Sequence, residues 1–307
     1  MITSPPRITT GRSCLRSRMV PRCWVGLPAG RFARLIGIAL LAAAPLAAQP
    51  QSRTPIKTGV DATFAPHAMP KLGGGLEGFN IDLGNEIARR LGRPIEIEGT
   101  QFSGLVPGLN AGKYDFILAP TTLTAERAKA MLFTEGYLDT DYLFVQKKAA
   151  KPIESLEDTK GLTISVNKGS AYESWAKANA GKYGFKYDIY DTNADAVQAV
   201  ISGRADANLA GNTVSQWAAK QNNQVKTSYR IKTGLVWAIP FRNDDVAGRN
   251  QVSMAIKCMK SDGTLARLHE NWFGEKPAAD SSTATLAPGH GHPGANGYDA
   301  TPVTPKC

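Results

Sequence analysis

Residues 112–127 predict a buried strand that runs directly into the first turn of a helix, with the sequence GKYDFILAPTTLTAER. The apolar run is short and lies between Gly112 and Pro120, which is typical of a strand that is covered on both faces. Residues 203–213, GRADANLAGNT, repeat the order glycine, basic residue, any residue, aspartate and apolar strand. Matching positions lie 91 residues apart, and a helix-like stretch precedes each copy. We therefore expect the same helix and strand unit twice.

Two copies of this unit predict two α/β lobes that face a ligand from opposite sides, because open parallel sheets bind ligands at the carboxyl ends of their strands. In the first copy, Thr124 can cap the new helix, and Arg127 offers a planar guanidinium that fits a carboxylate through two parallel hydrogen bonds. We expect a small carboxylate at this strand end. The plainer interpretation, a capped helix with a surface arginine, stays open on these residues alone.

The first 48 residues are typical of a secretory signal peptide. They contain seven arginines and no acid, and the arginines precede an apolar run at 35–44 and small residues up to Ala48. We expect cleavage after Ala48 and a mature chain in the periplasm, with Met19 as an alternative start. The remaining residues carry 29 basic and 26 acidic side chains. So nearly neutral a chain gives no reason to expect nucleic-acid binding through bulk charge.

Two of the four cysteines, Cys14 and Cys23, belong to the segment that should be removed. Cys258 and Cys307 remain, and a pair of cysteines in an exported protein predicts a disulfide. Residues 277–307 are rich in proline, glycine, serine, threonine and histidine, and they have too few large apolar side chains to fold alone. We expect Cys307 to hold this tail if it is ordered.

Strand and helix patterns alternate along the mature chain, as in a parallel sheet covered by helices. A strand at 55–60 precedes a helix with Ile81, Leu83 and Ile87 near one face, and Ser103 is expected to cap the next helix. The second unit has strands at 161–166 and 187–190, with helices at 171–179 and 214–221. A terminal helical region at 252–272 should break near residues 262–263.

Four stretches, residues 61–66, 78–91, 102–109 and 112–127, together resemble the extracytoplasmic solute-binding proteins of polar amino-acid ABC transporters. Segment 78–88, GFNIDLGNEIA, looks like the signature of that family, with Asn80 where an acid is usual. The match extends over roughly residues 56–274 and ends in NWFG, which often closes these domains. The resemblance implies an α/β, type II periplasmic-binding-protein fold with two parallel-rich sheets and a double-strand hinge.

The implied domains are a signal peptide at 1–48, lobe 1 at 49–136 plus 236–276, a hinge at 137–141 and 231–235, lobe 2 at 142–230, and a tail at 277–307. The resemblance further implies a monomer without a cofactor that captures a small carboxylate-bearing solute, an amino acid or a related organic acid, for a membrane permease. Residues carried over to the ligand site are Asp61, Phe64, Phe102, Ala119, Pro120, Thr122 and Arg127 in lobe 1, and Asn167, Gly169, Ser170 and Gly211 in lobe 2.

One of these positions departs from the family pattern. The family usually places an aspartate at the end of the repeated strand to receive the ligand's α-ammonium, and this chain has Gly211 there. Asp206 is no substitute, since its counterpart Asp115 lies near the strand start, where an acid can fix a turn. Either Asp61, Glu173 or Asn212 meets the ammonium, or the ligand has none, because a buried ammonium without a partner is costly.

Two other classes of function stay open. The same fold hosts exported dehydratases that act on cyclic carboxylates, and Glu173 at a helix start is a candidate general acid, although acids are favoured in first turns anyway. The second open class is a non-transport accessory or sensor protein. His290 and His292 allow a metal site, but in such a tail a solvated pair is the simpler interpretation, and no cysteine and histidine spacing typical of zinc appears.

Overall fold

The computed structural model describes residues 54–305 and residue 307. The predicted signal peptide lies outside these residues. In chain order the strands are β1 (Ile56–Asp61), β2 (Met69–Pro70), β3 (Leu76–Glu77), β4 (Ile95–Thr100), β5 (Phe116–Ile117), β6 (Thr121–Thr122), β7 (Leu132–Phe133), β8 (Leu138–Lys147), β9 (Thr163–Asn167), β10 (Lys186–Tyr190), β11 (Ala207–Gly211), β12 (Val225–Ala238) and β13 (Pro240–Phe241).

The helices are α1 (Phe79–Leu91), α2 (Phe102–Asn110), α3 (Ala125–Ala130), α4 (Ala171–Tyr183), α5 (Asn193–Ser202), α6 (Asn212–Gln221), α7 (Val246–Ser261) and α8 (Thr264–Phe273). A short 3-10 helix at Glu157–Thr159 precedes β9. The expected cap Ser103 is also wrong, since α2 begins after Gln101, whose side chain makes no capping bond. The break between α7 and α8 falls at residues 262–263, as predicted.

Two sheets organise these elements, and we call the parts built on them lobe 1 and lobe 2. The lobe 1 sheet has the strand order β4-β1-β5-β13-β7, and the other sheet has the order β10-β9-β11-β8-β12-β6. Three neighbouring strands in each sheet are parallel: β4, β1 and β5 in the first, and β10, β9 and β11 in the second. The remaining strands pair antiparallel. The expected parallel cores are therefore present, but the chain's crossings between lobes add antiparallel strands to both.

The sequence repeat corresponds to a structural repeat. Asp115 accepts a hydrogen bond from the backbone N–H of Lys57 at 2.9 Å, and Asp206 accepts one from that of Thr163 at 2.8 Å. Each aspartate thus ties the start of its own strand to the neighbouring parallel strand. The glycine three residues before each aspartate has a positive φ, 74° in lobe 1 and 82° in lobe 2, which favours glycine because it has no Cβ. The two units share this geometry as well as their residues.

Strands β8 and β12 run side by side where the chain crosses between the sheets. Their register shifts between Ile231, opposite Tyr142, and Leu235, opposite Thr140. Two additional residues of β12 therefore form a bulge. Within it, the N–H of Thr233 donates a hydrogen bond to the Asp141 carboxylate at 3.0 Å. This irregularity falls within the predicted hinge at 137–141 and 231–235. The exact lobe boundaries stay a prediction.

The tail is ordered and lies along lobe 1. His290 and Asp299 exchange two backbone hydrogen bonds, at 2.8 and 3.0 Å. Three buried cations of α7 bind its carbonyl groups: Arg249 binds Gly297, Lys257 binds Ala287 and Lys260 binds Thr285. Both lysines also pair with the buried carboxylate of Glu135. The tail is thus held along its length, and not by its terminal cysteine alone.

The predicted disulfide joins Cys258 to Cys307, with a Cα–Cα distance of 5.4 Å. It closes a loop with a sequence separation of 49 and returns the end of the tail to α7. Among the described residues, no helix is long and apolar enough to cross a membrane.

We expect the double substitution Cys258→Ser and Cys307→Ser to lower the free energy of unfolding by about 4 kcal/mol, because the unfolded chain regains the freedom that the closed loop removes. Denaturant unfolding monitored by circular dichroism measures this difference. The wild-type protein in reductant is the matched control and should resemble the variant. Equal unfolding free energies for the variant and the oxidised wild type would contradict a stabilising role for the bond.

Candidate ligand-binding site

The carboxyl ends of the parallel strands in the two sheets meet at the lobe boundary. Asp61 ends β1 and Asn167 ends β9, and the Asn167 amide donates a hydrogen bond to the Asp61 carboxylate at 3.2 Å. The other Asp61 oxygen accepts from the backbone N–H and the hydroxyl of Thr63, at 2.9 and 2.7 Å. Both Asp61 and Asn167 are buried. The two predicted residues therefore form one polar contact between the lobes.

Arg127 forms a second contact across the boundary. Its guanidinium donates to the carbonyl of Thr122, five residues earlier in the chain, at 3.0 Å and to that of Gly169 in lobe 2 at 2.9 Å. It also lies over the ring of Phe102, 5.6 Å from the centroid. Burial lowers the pKa of Arg127 from its ordinary value, and the nearby Tyr142 and Tyr172 oppose that shift. Arg127 thus faces the other lobe, and the surface-arginine alternative does not describe it.

His67, which sequence reasoning did not select, forms a third contact. Its Nδ1 lies 2.9 Å from Oδ1 of Asn80, and its Nε2 lies 2.8 Å from the hydroxyl of Thr213 in lobe 2. The Asn80 amide nitrogen already donates to Leu118 O and to the Tyr137 hydroxyl. Asn80 Oδ1 must therefore accept, which assigns the proton of neutral His67 to Nδ1 and leaves Nε2 to accept from Thr213.

Aromatic rings enclose this histidine. Trp237 lies edge-on to it at a centroid distance of 4.7 Å, and Phe79 and Phe273 lie at 5.8 and 5.5 Å. Phe273 belongs to the closing NWFG motif at the end of α8, and its ring also packs against that of Phe79. Full burial in this apolar shell lowers the pKa of His67 to about 3, although the hydrogen bond to Asn80 acts in the opposite direction.

Trp237 connects several of the predicted site residues. It is fully buried, its indole N–H donates to the Thr122 hydroxyl at 3.1 Å, and its ring lies 6.2 Å from that of Phe64. It also approaches Gly211, where an added Cβ would lie 2.6 Å from the indole. The predicted ligand positions do not include this tryptophan. The structure shows that it also touches the predicted ligand positions Phe64, Thr122 and Gly211.

Ser170 and Glu173 together cap α4. The Ser170 hydroxyl accepts from the backbone N–H of Glu173 at 3.1 Å, and the Glu173 carboxylate accepts from the N–H of Gly169 at 2.5 Å. The two side chains thus accept from two backbone N–H groups at the start of the helix, those of Glu173 and Gly169. Of the three residues considered as ammonium partners, Glu173 and Asp61 are thus occupied by donors of the protein, and Asn212 accepts from the N–H of Asp141 at 3.2 Å.

The eleven predicted ligand positions do not line one common cavity in the described part of the chain. Phe102, Arg127 and Gly169 line a cavity of about 330 Å³ between α2, α3 and the start of α4. The other predicted residues are buried, and they are Asp61, Phe64, Ala119, Pro120, Thr122, Asn167, Ser170 and Gly211. No described group of three or more histidine, cysteine, aspartate or glutamate side chains is arranged to hold a metal ion.

The residues missed by sequence reasoning are His67, Trp237, Tyr142 and Tyr172. The two tyrosines are buried with their rings edge to face at a centroid distance of 4.9 Å. The one sequence signal for the His67 contact was Asn80, which stands where the family usually has an acid. A neutral amide at this place suits a neutral histidine as its hydrogen-bond partner. Nothing in the local sequence pattern links Asn80 to His67 or to Thr213.

Comparison with known proteins decides the family. The model of the bacterial extracellular solute-binding proteins, family 3, matches residues 56–275. The chain belongs to this family. As a family 3 solute-binding protein, it shares the two-lobe, type II periplasmic-binding-protein fold.

Three relatives illustrate the similarity. The arginine-binding extracellular protein ArtP of Bacillus subtilis is 31% identical over 224 residues, which cover 71% of this chain and 86% of ArtP. The structure of an ancestral arginine-binding protein bound to arginine is 35% identical, with a TM-score of 0.69, over 73% of this chain and all of that one. The ancestral amino acid-binding protein AncCDT-1, a precursor of cyclohexadienyl dehydratase, is 32% identical, with a TM-score of 0.66, over 71% and 95% of the two chains.

We expect the stability of this solute-binding protein to fall as the pH decreases from about 6.5 towards 3. The unfolded chain binds a proton at His67 in this range and the folded protein does not, so each pH unit removes up to about 1.4 kcal/mol. Substitution His67→Gln should remove this part of the pH dependence, as measured by denaturant unfolding at a series of pH values.

Substitution His269→Gln is the matched control, since His269 lies on α8 and bonds to the carbonyl of Glu275. It should retain the wild-type slope of unfolding free energy against pH. If the slopes of the His67 variant and the wild type coincide, His67 is not the group that takes up the proton.

Proposed function

We propose that this chain is the periplasmic substrate-binding component of an ABC importer and that it captures a small carboxylate-bearing solute between its two lobes. The observation that carries the proposal is the position of Arg127, whose guanidinium extends to lobe 2 and bonds to the carbonyl groups of Thr122 and Gly169. Such a planar donor fits a carboxylate through two parallel bonds. Thr122 and Phe102 beside it supply a hydroxyl and an aromatic face.

The names of similar proteins support the carboxylate. ArtP and the ancestral protein described above bind arginine, which carries an α-carboxylate. For this chain we infer that a ligand carboxylate replaces the Gly169 carbonyl as an acceptor of the Arg127 guanidinium. Asp61, Phe64, Ala119, Pro120, Asn167, Ser170 and Gly211 are the further residues proposed to surround it.

Export and delivery complete the proposal. We infer that residues 1–48 are removed on export and that the mature monomer works in the periplasm, where a membrane permease receives its cargo. The proposed domains are those expected from the sequence, with hinges at 137–141 and 231–235. The ligand binds when the lobes are apart and favours their closure to the extent that it prefers the closed form.

An enzymatic role has one point in its favour, the similarity to AncCDT-1, which is described as a precursor of a dehydratase. Against it stands the geometry of the candidate acid, because the Glu173 carboxylate accepts from the N–H of Gly169, the residue before the Ser170 cap of α4. A carboxylate held in this way stabilises a helix start and needs no catalytic role. We therefore propose binding without turnover.

A thermal-shift screen of amino acids and other organic acids should identify the ligand. A compound at 100 times its dissociation constant adds about 2.7 kcal/mol to the stability of the folded protein, which raises the melting temperature measurably. Absence of any stabilising carboxylate in a broad screen would contradict the proposal.

For a carboxylate found in this way, Arg127→Ala should weaken binding by about 2 to 5 kcal/mol, since the ligand's desolvated charge loses its partner. Isothermal titration calorimetry measures the loss. Arg204→Ala is the matched control, because Arg204 is exposed and bonds to the Ser202 hydroxyl in lobe 2. An unchanged affinity in the Arg127 variant would remove Arg127 from the site.

A further inference from the structure

The helix that carries Arg127 is short. Helix α3 has six residues, Ala125–Ala130. Isolated helices of fewer than about 12 residues are only marginally stable in water, because the cost of the first turn is not recovered. The last carbonyl groups of a helix also lack partners within it. The position of Arg127 therefore depends on the contacts that α3 makes with other parts of the chain.

The tail supplies contacts at the carboxyl end of this helix. The backbone N–H of Asn296 donates to the carbonyl of Ala128, the residue after Arg127, at 2.7 Å. The side-chain amide of Asn296 donates to Oδ1 of Asn243 at 2.9 Å, and the Asn243 amide donates to the carbonyl of Ala130 at 2.9 Å. One carbonyl at the end of α3 is thus bound by the tail directly, and a second is bound through one bridging side chain.

The residue before Asn296 belongs to the apolar packing around the candidate site. Ala295 is buried and shares one hydrophobic cluster with Phe102, Ala128 and Met131. The ring of Phe102 is the one over which the Arg127 guanidinium lies. The tail therefore takes part in the cluster that contains both a residue of α3 and the aromatic face beside the guanidinium.

The residue after Asn296 is held firmly in place. The carbonyl of Gly297 accepts from the Arg249 guanidinium of α7 at 2.6 Å, and Arg249 also donates to the carbonyl of Phe133 on β7 at 3.2 Å. A Cβ added to Gly297 would lie 2.6 Å from the side chain of Leu132, also on β7. Residues 295–297 are therefore packed against lobe 1 as well as against the end of α3.

We propose that residues 295–297 are positioning residues for solute binding, which hold α3 so that the Arg127 guanidinium reaches lobe 2. They touch no solute and act through the helix. The inference rests on the proposed function, because it assumes that a solute binds Arg127, but the position of this arginine can be measured without a solute. The family match ends at residue 275, so the support comes from a segment outside the part that the chain shares with its family.

Phenylglyoxal, a reagent that modifies accessible guanidinium groups, tests the inference on the purified mature protein. Substitution Asn296→Asp keeps the size of the side chain but removes the donor to Asn243. It also places a negative charge near the carbonyl end of α3, where negative charge is unfavourable, and we expect Arg127 to react about fivefold faster. Peptide mass spectrometry measures the rate at each arginine.

Two other arginines in the same molecule serve as references. Arg204 is exposed on lobe 2, so its rate reports the reagent. Arg90 is largely buried and paired with Glu86 and Asp262, so its rate reports general loosening of the fold. An Arg127 rate that is unchanged relative to Arg204, or that rises only as much as the Arg90 rate, would overturn the inference.

A matched variant within the tail is the control. Substitution Tyr298→Phe removes the hydrogen bond from the Tyr298 hydroxyl to the carbonyl of Pro288, which joins two parts of the tail and does not involve α3. We expect it to leave the Arg127 rate at the wild-type value. Substitution Asn243→Ala removes the bridge to Ala130 from outside the tail and should accelerate the reaction of Arg127.

Binding measurements separate the inference from the proposed function. For each carboxylate that stabilises the wild-type protein in the thermal-shift screen, Asn296→Asp should weaken binding, but it should cause no further loss in a protein that already carries Arg127→Ala. Equal losses in both backgrounds, or wild-type affinity in Asn296→Asp alone, would overturn the inference and leave the proposed function intact. If no carboxylate binds the wild-type protein, the proposed function fails, and the reactivity of Arg127 still decides whether the tail positions it.

Discussion

Trp237 lies fully buried at the point where three strands meet, and the contact between the lobes depends on it. The backbone of Trp237, on β12, pairs with Leu138 on β8 and with Thr122 on β6. The crossing strand β12 is therefore held by a neighbouring strand on each side. The indole then contacts His67 and approaches the end of β11. Because the ring is large and rigid, it links the crossing strands to the surfaces of the two lobes that face each other.

Around this ring, hydrogen bonds join the two lobes. In each bond, at most one of the two partners carries a charge. Asn167 donates to Asp61, Thr213 to His67, and Arg127 to the carbonyl of Gly169. Separation of the lobes exposes all of these groups to water, which replaces each hydrogen bond, so the polar contacts add modest net stability and strong geometric selectivity. The lobe closure proposed above requires this balance, because a boundary held mainly by apolar area would resist opening.

The tail also forms polar contacts with the crossing strands. Thr283 donates to the carbonyl of Tyr137, and the N–H of Ser282 bonds to Asp139, so tail residues contact the beginning of β8. The buried lysines of α7 form ion pairs with Glu135, which precedes β8. Because charges buried in this way are costly when left unpaired, the tail and α7 fix the start of the crossing strand as one unit.

The sequence alone determined the repeated unit and its strand starts, the capping of α3 by Thr124, the start of α4, the pairing of Cys258 with Cys307, and the family resemblance that implied the two-lobe fold. These features are predictable because they depend on local propensity, on spacing or on a matching order of motifs. The tertiary structure alone decided that His67 reaches Thr213, that Trp237 touches Thr122, and that the space beside Gly211 is filled. Each of these contacts joins side chains 26 or more positions apart, for instance 146 for His67 and Thr213, and no periodicity in the chain records which distant side chains will share one buried space.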